Sequence, residues 1–225
     1  MKIVVILSGG MDSATLLYEL LSAGHTVEAL TFSYGKSPSK EVLAASGLCR
    51  SLGVHHNIAD VSHVFSLLSG QILIPVPEIH RSGVDESFSA RTIQVPNRNM
   101  IFVSLGLSRA ISVGADAVAY AANASDHSVY PDCRPVFVEL LSTIATICDW
   151  HSVKLLRPFI NLEKSDIIAI GDRLHVPYEK TWSCIHGGKV HCGICPTCKE
   201  RRTAFRIAKV TDRTVYQSDP EDKTP

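Results

Sequence analysis

The chain has no surplus of charge of either sign, since 22 Lys and Arg are offset by 22 Asp and Glu. Such a balance excludes a global basic field that would draw it to nucleic acid or to an anionic membrane, and makes a small-molecule substrate the default expectation. No stretch approaches the roughly 18 uninterrupted apolar residues of a membrane span. The opening MKIVVILSGG has too short an apolar run for a signal-peptide core and no small-residue cleavage site. The expectation is a cytoplasmic protein that contacts neither membrane nor nucleic acid directly. Internal repeats and low-complexity blocks are missing as well.

What is present suffices for a packed core: 225 residues, 45% of them hydrophobic, make one large domain or a domain with a small appendage. The seven cysteines are an odd number in a chain without an export signal, and Cys184, Cys192, Cys195 and Cys198 are clustered. In a reducing compartment that clustering reads as metal ligation rather than disulfides.

The apolar run IVVIL at 3–7 predicts a strand buried on both faces, and 13–22 a helix with Leu16, Leu17, Leu20 and Leu21 on its apolar side. VEALTF then predicts a strand, SKEVLAASGLCRSLG a helix and HHNIADV a third strand. This alternation belongs to the α/β class with a doubly wound, mostly parallel sheet. Residues 69–95, broken by Pro75, Pro77 and Gly83, predict a long loop. Beyond it, NMIFVSLGLSRAISVGA predicts a helix, DAVAYAA a strand, 134–150 a helix, a strand broken at Pro158, and LEKSDIIAIGDRLH a helix. From Val176 onward Cys, Gly and His dominate, followed by the basic helix CKERRTAFRIAKV, whose Phe205 and Ile207 read as its core face and whose basic residues read as a solvated face or a subunit contact. The expected division is 1–175 as the α/β domain, 176–212 as a metal-binding region packed on it, and 213–225 as a polar tail with a frayed end.

The first strand leaves through LSGGMDS, the turn where a doubly wound sheet favours anions. Gly9 and Gly10 can adopt backbone angles closed to other residues and let N–H groups approach phosphate oxygens, while Ser8 and Ser13 offer hydroxyls. Asp12 beside phosphate fits a bridging Mg²⁺. The stretch lacks the Gly-Lys-Ser/Thr ending of a Walker loop and the G-x-G-x-x-G of dinucleotide binders, so γ-phosphate transfer is not indicated. A purely structural glycine turn with a helix cap is the plain alternative.

The C-x7-C-x2-C-x2-C spacing of the four clustered cysteines places their thiolates around one tetrahedral ion, with Gly193 easing the turn and Pro196 stiffening it. Structural zinc is the simplest occupant, an iron–sulfur cluster is the main alternative, and His186 or His191 is an available substitute for one thiolate. Cys49 and Cys148 read as core or surface thiols.

SGGMDS resembles the SGGxDS signature of the PP-loop ATP pyrophosphatases, the superfamily of GMP synthetase, NAD synthetase and asparagine synthetase. The resemblance implies an adenine nucleotide alpha hydrolase-like fold, a loop holding the pyrophosphate end of ATP, and adenylation of a substrate oxygen. Three further stretches, VPNRNMIFVSL, SDHSVYPDCRPVF, and VPYEKTWSC followed by CGICPTCKERRTAF, resemble in the same order motifs of the 7-cyano-7-deazaguanine synthase family. The likeness runs from Met1 to about Lys209. It implies that 7-carboxy-7-deazaguanine, ammonia and ATP give an acyl adenylate, then the amide, then the nitrile, in a homodimer carrying Mg²⁺ with ATP and a structural Zn²⁺.

Carried over by position, Ser8, Gly9, Gly10, Met11, Asp12 and Ser13 would hold ATP and its metal. Asn97, Arg98, Asn99, Asp126, Tyr130, Asp132 and Arg134 would hold the deazapurine or its activated form, with Asp12, Arg98 and Asp132 as catalytic candidates and Cys184, Cys192, Cys195 and Cys198 as metal ligands. The bland alternatives are an ion pair at Arg98, a turn cap at Asp126, a loop-shaping role for Tyr130, and mutual pairing of Asp132 with Arg134. Cys133 reads as positional rather than nucleophilic.

The chain departs from the family pattern where Lys36 and Pro38 replace a usual Gln and His, and where Ala121 and Val129 replace usual glycines. These changes favour a second reading: a paralogue that stops at the amide or conjugates the activated acyl group to another amine, such as one on a protein, as relatives in bacterial defence systems do. A zinc module binding nucleic acid, suggested by KERR, and tRNA thiolation by a PP-loop protein are more distant alternatives; zero net charge opposes the first and YPDCR the second.

Overall fold

The computed structural model describes residues 1–34, 39–68 and 97–218. Lys36, Pro38, the predicted loop at 69–95 (up to Val95) and residues 219–225 lie outside the described residues.

The centre is β1 (Lys2–Ile6), whose Ile3, Val4 and Val5 have no solvent exposure, as a parallel strand covered on both faces requires. It is followed by α1 (Met11–Ser22), β2 (Thr26–Ser33), α2 (Lys40–Leu52), β3 (His55–Asp60) and α3 (Ser62–Leu68). Then come α4 (Arg98–Ser112), β4 (Ala117–Ala119), α5 (Pro135–Ile147), β5 (Lys154–Leu156), α6 (Lys164–Arg173) and α7 (Pro196–Ala208). Local signals set several ends: the Ser39 hydroxyl accepts from Val42 N at 3.3 Å to start α2, and Gly53 at φ 66° ends it. Pro196 opens α7, where its missing N–H costs nothing.

The strands lie in the order β3-β2-β1-β4-β5 and every pairing is parallel, the doubly wound sheet expected from the alternation. On one face Val4, Leu30, Val118 and Leu155 pack with Val103 of α4 and Leu141 of α5. On the other, Ile3, Val5 and Ala29 pack with Leu16 and Leu17 of α1, Ala45 of α2 and Ile167 of α6. The chain reverses its direction of winding between β1 and β4, and their carboxyl ends part to leave the crevice where such sheets bind ligands.

Differences from the sequence reading are local. α1 starts at Met11 rather than Ser13, because extended Gly10 already serves as its cap. The β4 ladder spans three residues rather than the whole of DAVAYAA. The helix α3 stands where no element was expected. Met11, Ala14, Ile168, Tyr178, Ala204 and Phe205 share a third core, which seats α7 on α1 and α6. Ile207 is not part of it and is 61% exposed, because it faces away from the α1–α6 seam.

Candidate active site

The first turn after β1 needs its glycine. Gly9 has φ 84°, and a Cβ built on it would lie 2.2 Å from the main-chain oxygen of Glu41 in α2. Around it Ser8 N donates to Ser13 Oγ at 3.2 Å, the two hydroxyls lie 3.0 Å apart, and Gly10 N reaches Ser8 Oγ only at 3.4 Å. The result is a small nest of N–H and O–H groups at the positive end of α1. Met11 is buried with its side chain in the core, so only its main chain faces this turn.

Asp12 sits in the first turn of α1. Its Oδ2 accepts from Asn123 Nδ2 at 3.2 Å, and its Oδ1 is buried without a partner among the described residues. Loss of hydration pushes its carboxyl up to about 6, against the field of Lys164 and with those of Asp126 and Glu200. The Asn123 amide also donates to Asp126 Oδ2 at 3.2 Å. Lys164 Nζ donates to Asp126 Oδ1 at 2.9 Å and pairs with Glu200 Oε1 at 3.3 Å. Burial opposes the charge on Lys164, but Asp12, Asp126 and Glu200 outweigh it and hold the ammonium above its ordinary range.

Asn123 Oδ1 and His127 Nε2 are, like Asp12 Oδ1, buried without partners among the described residues. Each such atom costs about 1–3 kcal/mol, and those on Asp12 and Asn123, residues that touch one another, mark a place for a polar ligand. The free oxygen on Asp12 beside a phosphate nest is a fitting donor for a hard divalent cation. Sequence reasoning missed Asn123, Lys164 and Glu200. One signal was available: Lys164 opens α6, where a cation opposes the helix dipole.

The remaining candidates gather at the start of α4 and in the loop after β4. Asn97 caps α4 with φ 56°, and the Arg98 guanidinium lies 5.8 Å from the centre of the Tyr130 ring. Asn99 N donates to Asp132 Oδ2 at 2.9 Å, and Asn99 Nδ2 reaches Asp132 O at 3.3 Å and Cys133 Sγ at 3.2 Å. Arg134 Nε donates to His127 O at 3.0 Å, so Asp132 and Arg134 are each engaged elsewhere rather than with each other. Burial pushes the Cys133 thiol up to about 12, which suits a positional role. Ala121 and Val129 both have negative φ, so the backbone at neither position calls for glycine.

Cys184, Cys192, Cys195 and Cys198 form the expected set, with all sulfurs within 4.8 Å of one another. Cys192 Sγ and Cys198 Sγ are 3.9 Å apart, close to the roughly 3.8 Å edge of a tetrahedron with about 2.3 Å metal–sulfur bonds. Cys192 N and Cys195 N point at Cys184 Sγ and Cys192 Sγ, at 3.4 and 3.3 Å. Those donors, and the burial of three of the four cysteines, fit a closed metal site. His191 is not a ligand in this arrangement, since its Nε2 faces Ser183 N at 3.1 Å. Gly193, at φ 82°, passes so close to Ser218 O that a Cβ would lie 2.1 Å from it.

The basic run in α7 is a solvated face at Lys199 and Arg206, which are exposed, but not at Arg201. Arg201 has no exposure at all, because Thr181, Ser183 and the Tyr178 carbonyl turn inward to receive its guanidinium. The same segment touches the glycine turn, where Trp182 N donates to Gly9 O at 2.9 Å.

The family model "Queuosine biosynthesis protein QueC" matches residues 2–209. The chain belongs to the 7-cyano-7-deazaguanine synthase family of PP-loop proteins. It is 43% identical over 217 residues to the 7-cyano-7-deazaguanine synthase of Methanoregula boonei, covering 96% of this chain and all of that one. It is 45% identical to the synthase of Archaeoglobus fulgidus, covering 94% of this chain and 89% of that one. Among solved structures, a 4-thiouridine synthetase in complex with RNA and ATP is similar with a TM-score of 0.55 at 17% identity, covering 92% of this chain and 50% of that one. The U34-tRNA thiolase NcsA of Methanococcus maripaludis, with its [4Fe-4S] cluster, gives 0.52 at 16% identity, covering 93% and 64%. The chain therefore spans less than two thirds of either structure, and those likenesses show the fold alone. No helix among the described residues is long and apolar enough to cross a membrane.

Proposed function

We propose that the protein is an AMP-forming carbon–nitrogen ligase that converts 7-carboxy-7-deazaguanine and ammonia to 7-cyano-7-deazaguanine. The observation that carries this reading is the meeting of Asp12, Asn123, Asp126 and Lys164 beside the Gly9 turn, in a chain of the synthase family.

In the proposed reaction a carboxylate oxygen of the substrate attacks the α-phosphorus of ATP, the bond between α-phosphorus and bridging oxygen breaks, and pyrophosphate leaves. Ser8, Gly9, Gly10 and Ser13 would receive the pyrophosphate, Asp12 would hold Mg²⁺ against it, and Lys164 would oppose the charge gathering on the α-phosphate. Ammonia then forms the C–N bond, AMP leaves with the electrons of the C–O bond, and a proton passes to solvent. The amide oxygen attacks a second ATP in the same way, and loss of both N-bound protons with departure of AMP leaves the nitrile. The chain supplies no covalent nucleophile in this scheme.

Arg98 and Tyr130 would frame the deazapurine by stacking and charge, with Asn97, Asn99 and Arg134 around it and Asp126 or Asp132 accepting from its guanine-like N–H groups. Zinc on the four thiolates would supply a closed structural site, because it leaves no position for water. We further propose the division into 1–175, 176–212 and 213–225, a homodimer, and a cytoplasmic setting.

The test mixes protein, MgATP, ammonium and the carboxylic acid, and assays AMP together with product mass. AMP with the nitrile is expected. AMP with the amide alone, or product only when a protein amine is supplied, supports the paralogue reading instead; no AMP overturns both.

A further inference from the structure

We infer that Arg201 is a positioning residue that couples the four-cysteine metal site to the glycine turn, so that metal and ATP bind with positive cooperativity. The inference rests on the ATP reading of that turn given above.

Arg201 lies in α7, three residues beyond the ligand Cys198, and is fully buried. Its Nη1 donates to Thr181 Oγ1 at 2.8 Å and to Ser183 Oγ at 3.2 Å, and its Nη2 to Tyr178 O at 2.7 Å. The two hydroxyls bracket Trp182, whose main-chain N–H donates to Gly9 O at 2.9 Å. Two residues further on is Cys184, another ligand of the set, and the Trp182 indole N–H closes onto its carbonyl at 2.7 Å. The segment from Thr181 to Cys184 is thus anchored at one end by sulfur and along its length by one guanidinium.

What that anchoring controls follows from peptide geometry. The peptide between Gly9 and Gly10 is trans, as are all peptides among the described residues, so fixing the Gly9 carbonyl toward Trp182 aims the Gly10 N–H the opposite way. Gly10 N reaches Ser8 Oγ only at 3.4 Å, and in the ATP reading it is one of the donors to phosphate. Glycines on both sides of this peptide leave its orientation to outside contacts rather than to side-chain bulk. A second path starts from the same helix: Glu200, between Cys198 and Arg201, pairs with Lys164 at 3.3 Å. Loss of the metal would free Cys184 and the first turn of α7 together, and with them the hold on both Gly9 and Lys164. By linkage, ATP must then strengthen metal retention by the same factor as metal strengthens ATP binding.

The experiment uses the full chain carrying Trp150→Phe, since Trp150 is fully exposed and its removal leaves Trp182 as the sole indole. Zn²⁺ is removed by chelation and restored, and the Mg²⁺ complex of α,β-methylene ATP is the probe. Metal removal is expected to shift Trp182 emission and to weaken probe binding about tenfold or more, and the probe to tighten Zn²⁺ retention by an equal factor against a competing chelator. Arg201→Met is expected to keep its metal yet to lower the linkage factor severalfold, leaving only the part carried through Glu200 and Lys164. If that variant does not fold, Ser183→Ala, which removes a single acceptor, is expected to fold and to lower the linkage factor. Equal probe affinity with and without metal, or an undiminished factor in the variants, would overturn the coupling alone. No probe binding to the loaded wild type would overturn the ATP reading and the coupling with it.

Discussion

Lys164 Nζ lies 2.9 Å from Asp126 Oδ1, joining the start of α6 to the loop after β4 across the mouth of the sheet. This ammonium also faces Glu200 and acts on Asp12. Replacing it with Met leaves Asp12, Asp126 and Glu200 near one another without the cation that pairs with two of them. We expect Lys164→Met to lower kcat about 100-fold or more and to lower stability at neutral pH by about 3 kcal/mol. Steady-state AMP release and urea unfolding measure the two effects, and an active variant would remove Lys164 from the chemistry.

Asp12 has its carboxyl pushed up to about 6 from 3.8, chiefly by loss of hydration. The folded protein holds this proton more tightly than the unfolded chain, so the contribution of Asp12 makes stability fall as pH rises from 3.8 to about 6, with the full cost present above that. Asp12→Asn should abolish this fall and be more stable at neutral pH by up to about 3 kcal/mol, while losing Mg²⁺-dependent nucleotide binding. Urea unfolding at acid and neutral pH tests the first outcome. Calorimetry in buffers of different ionisation enthalpy tests a companion expectation, that Mg-nucleotide binding releases a proton from Asp12 below about 6 and weakens as pH falls.

Gly9 and Gly10 are neighbours with unequal constraints. Gly9→Ala brings a Cβ into the Glu41 main chain at a positive φ, whereas at Gly10 the nearest atom is the Ser8 hydroxyl at 3.5 Å. Gly9→Ala should therefore cost about 1–3 kcal/mol in unfolding free energy, and Gly10→Ala should unfold like the wild type. Similar losses in the two variants, read by thermal melts, would contradict the described turn.

Two cysteine substitutions separate metal ligation from position. Cys198→Ser should lose stoichiometric metal, and the wild-type protein should be colourless and carry zinc rather than iron, as elemental analysis and the visible spectrum will report. Cys133→Ala, removing a buried thiol whose proton is held to about 12, should keep kcat within a few-fold. Loss of turnover with retained fold would make Cys133 a nucleophile.

The alternation of apolar runs and amphipathic stretches made the sheet and its helices legible, and the glycine turn and cysteine spacing announced themselves at short range. The acid–lysine cluster did not, since Asp12, Asn123, Asp126, Lys164 and Glu200 are brought together only because β4 lies beside β1 and α7 folds back on α6. Arg201 was misplaced for a related reason. Composition makes a solvated arginine the sensible prior, and the hydroxyls and carbonyl that bury it lie about twenty residues earlier in the chain. Lys36 and Pro38, read in the sequence as departures from the family pattern, fall outside the described residues, so their effect rests with the product assay.

Ala121 and Val129, read in the sequence as standing at glycine positions of the family pattern, both follow β4 at negative φ. A search pattern demanding glycine at both positions would discard this chain on grounds its backbone does not impose.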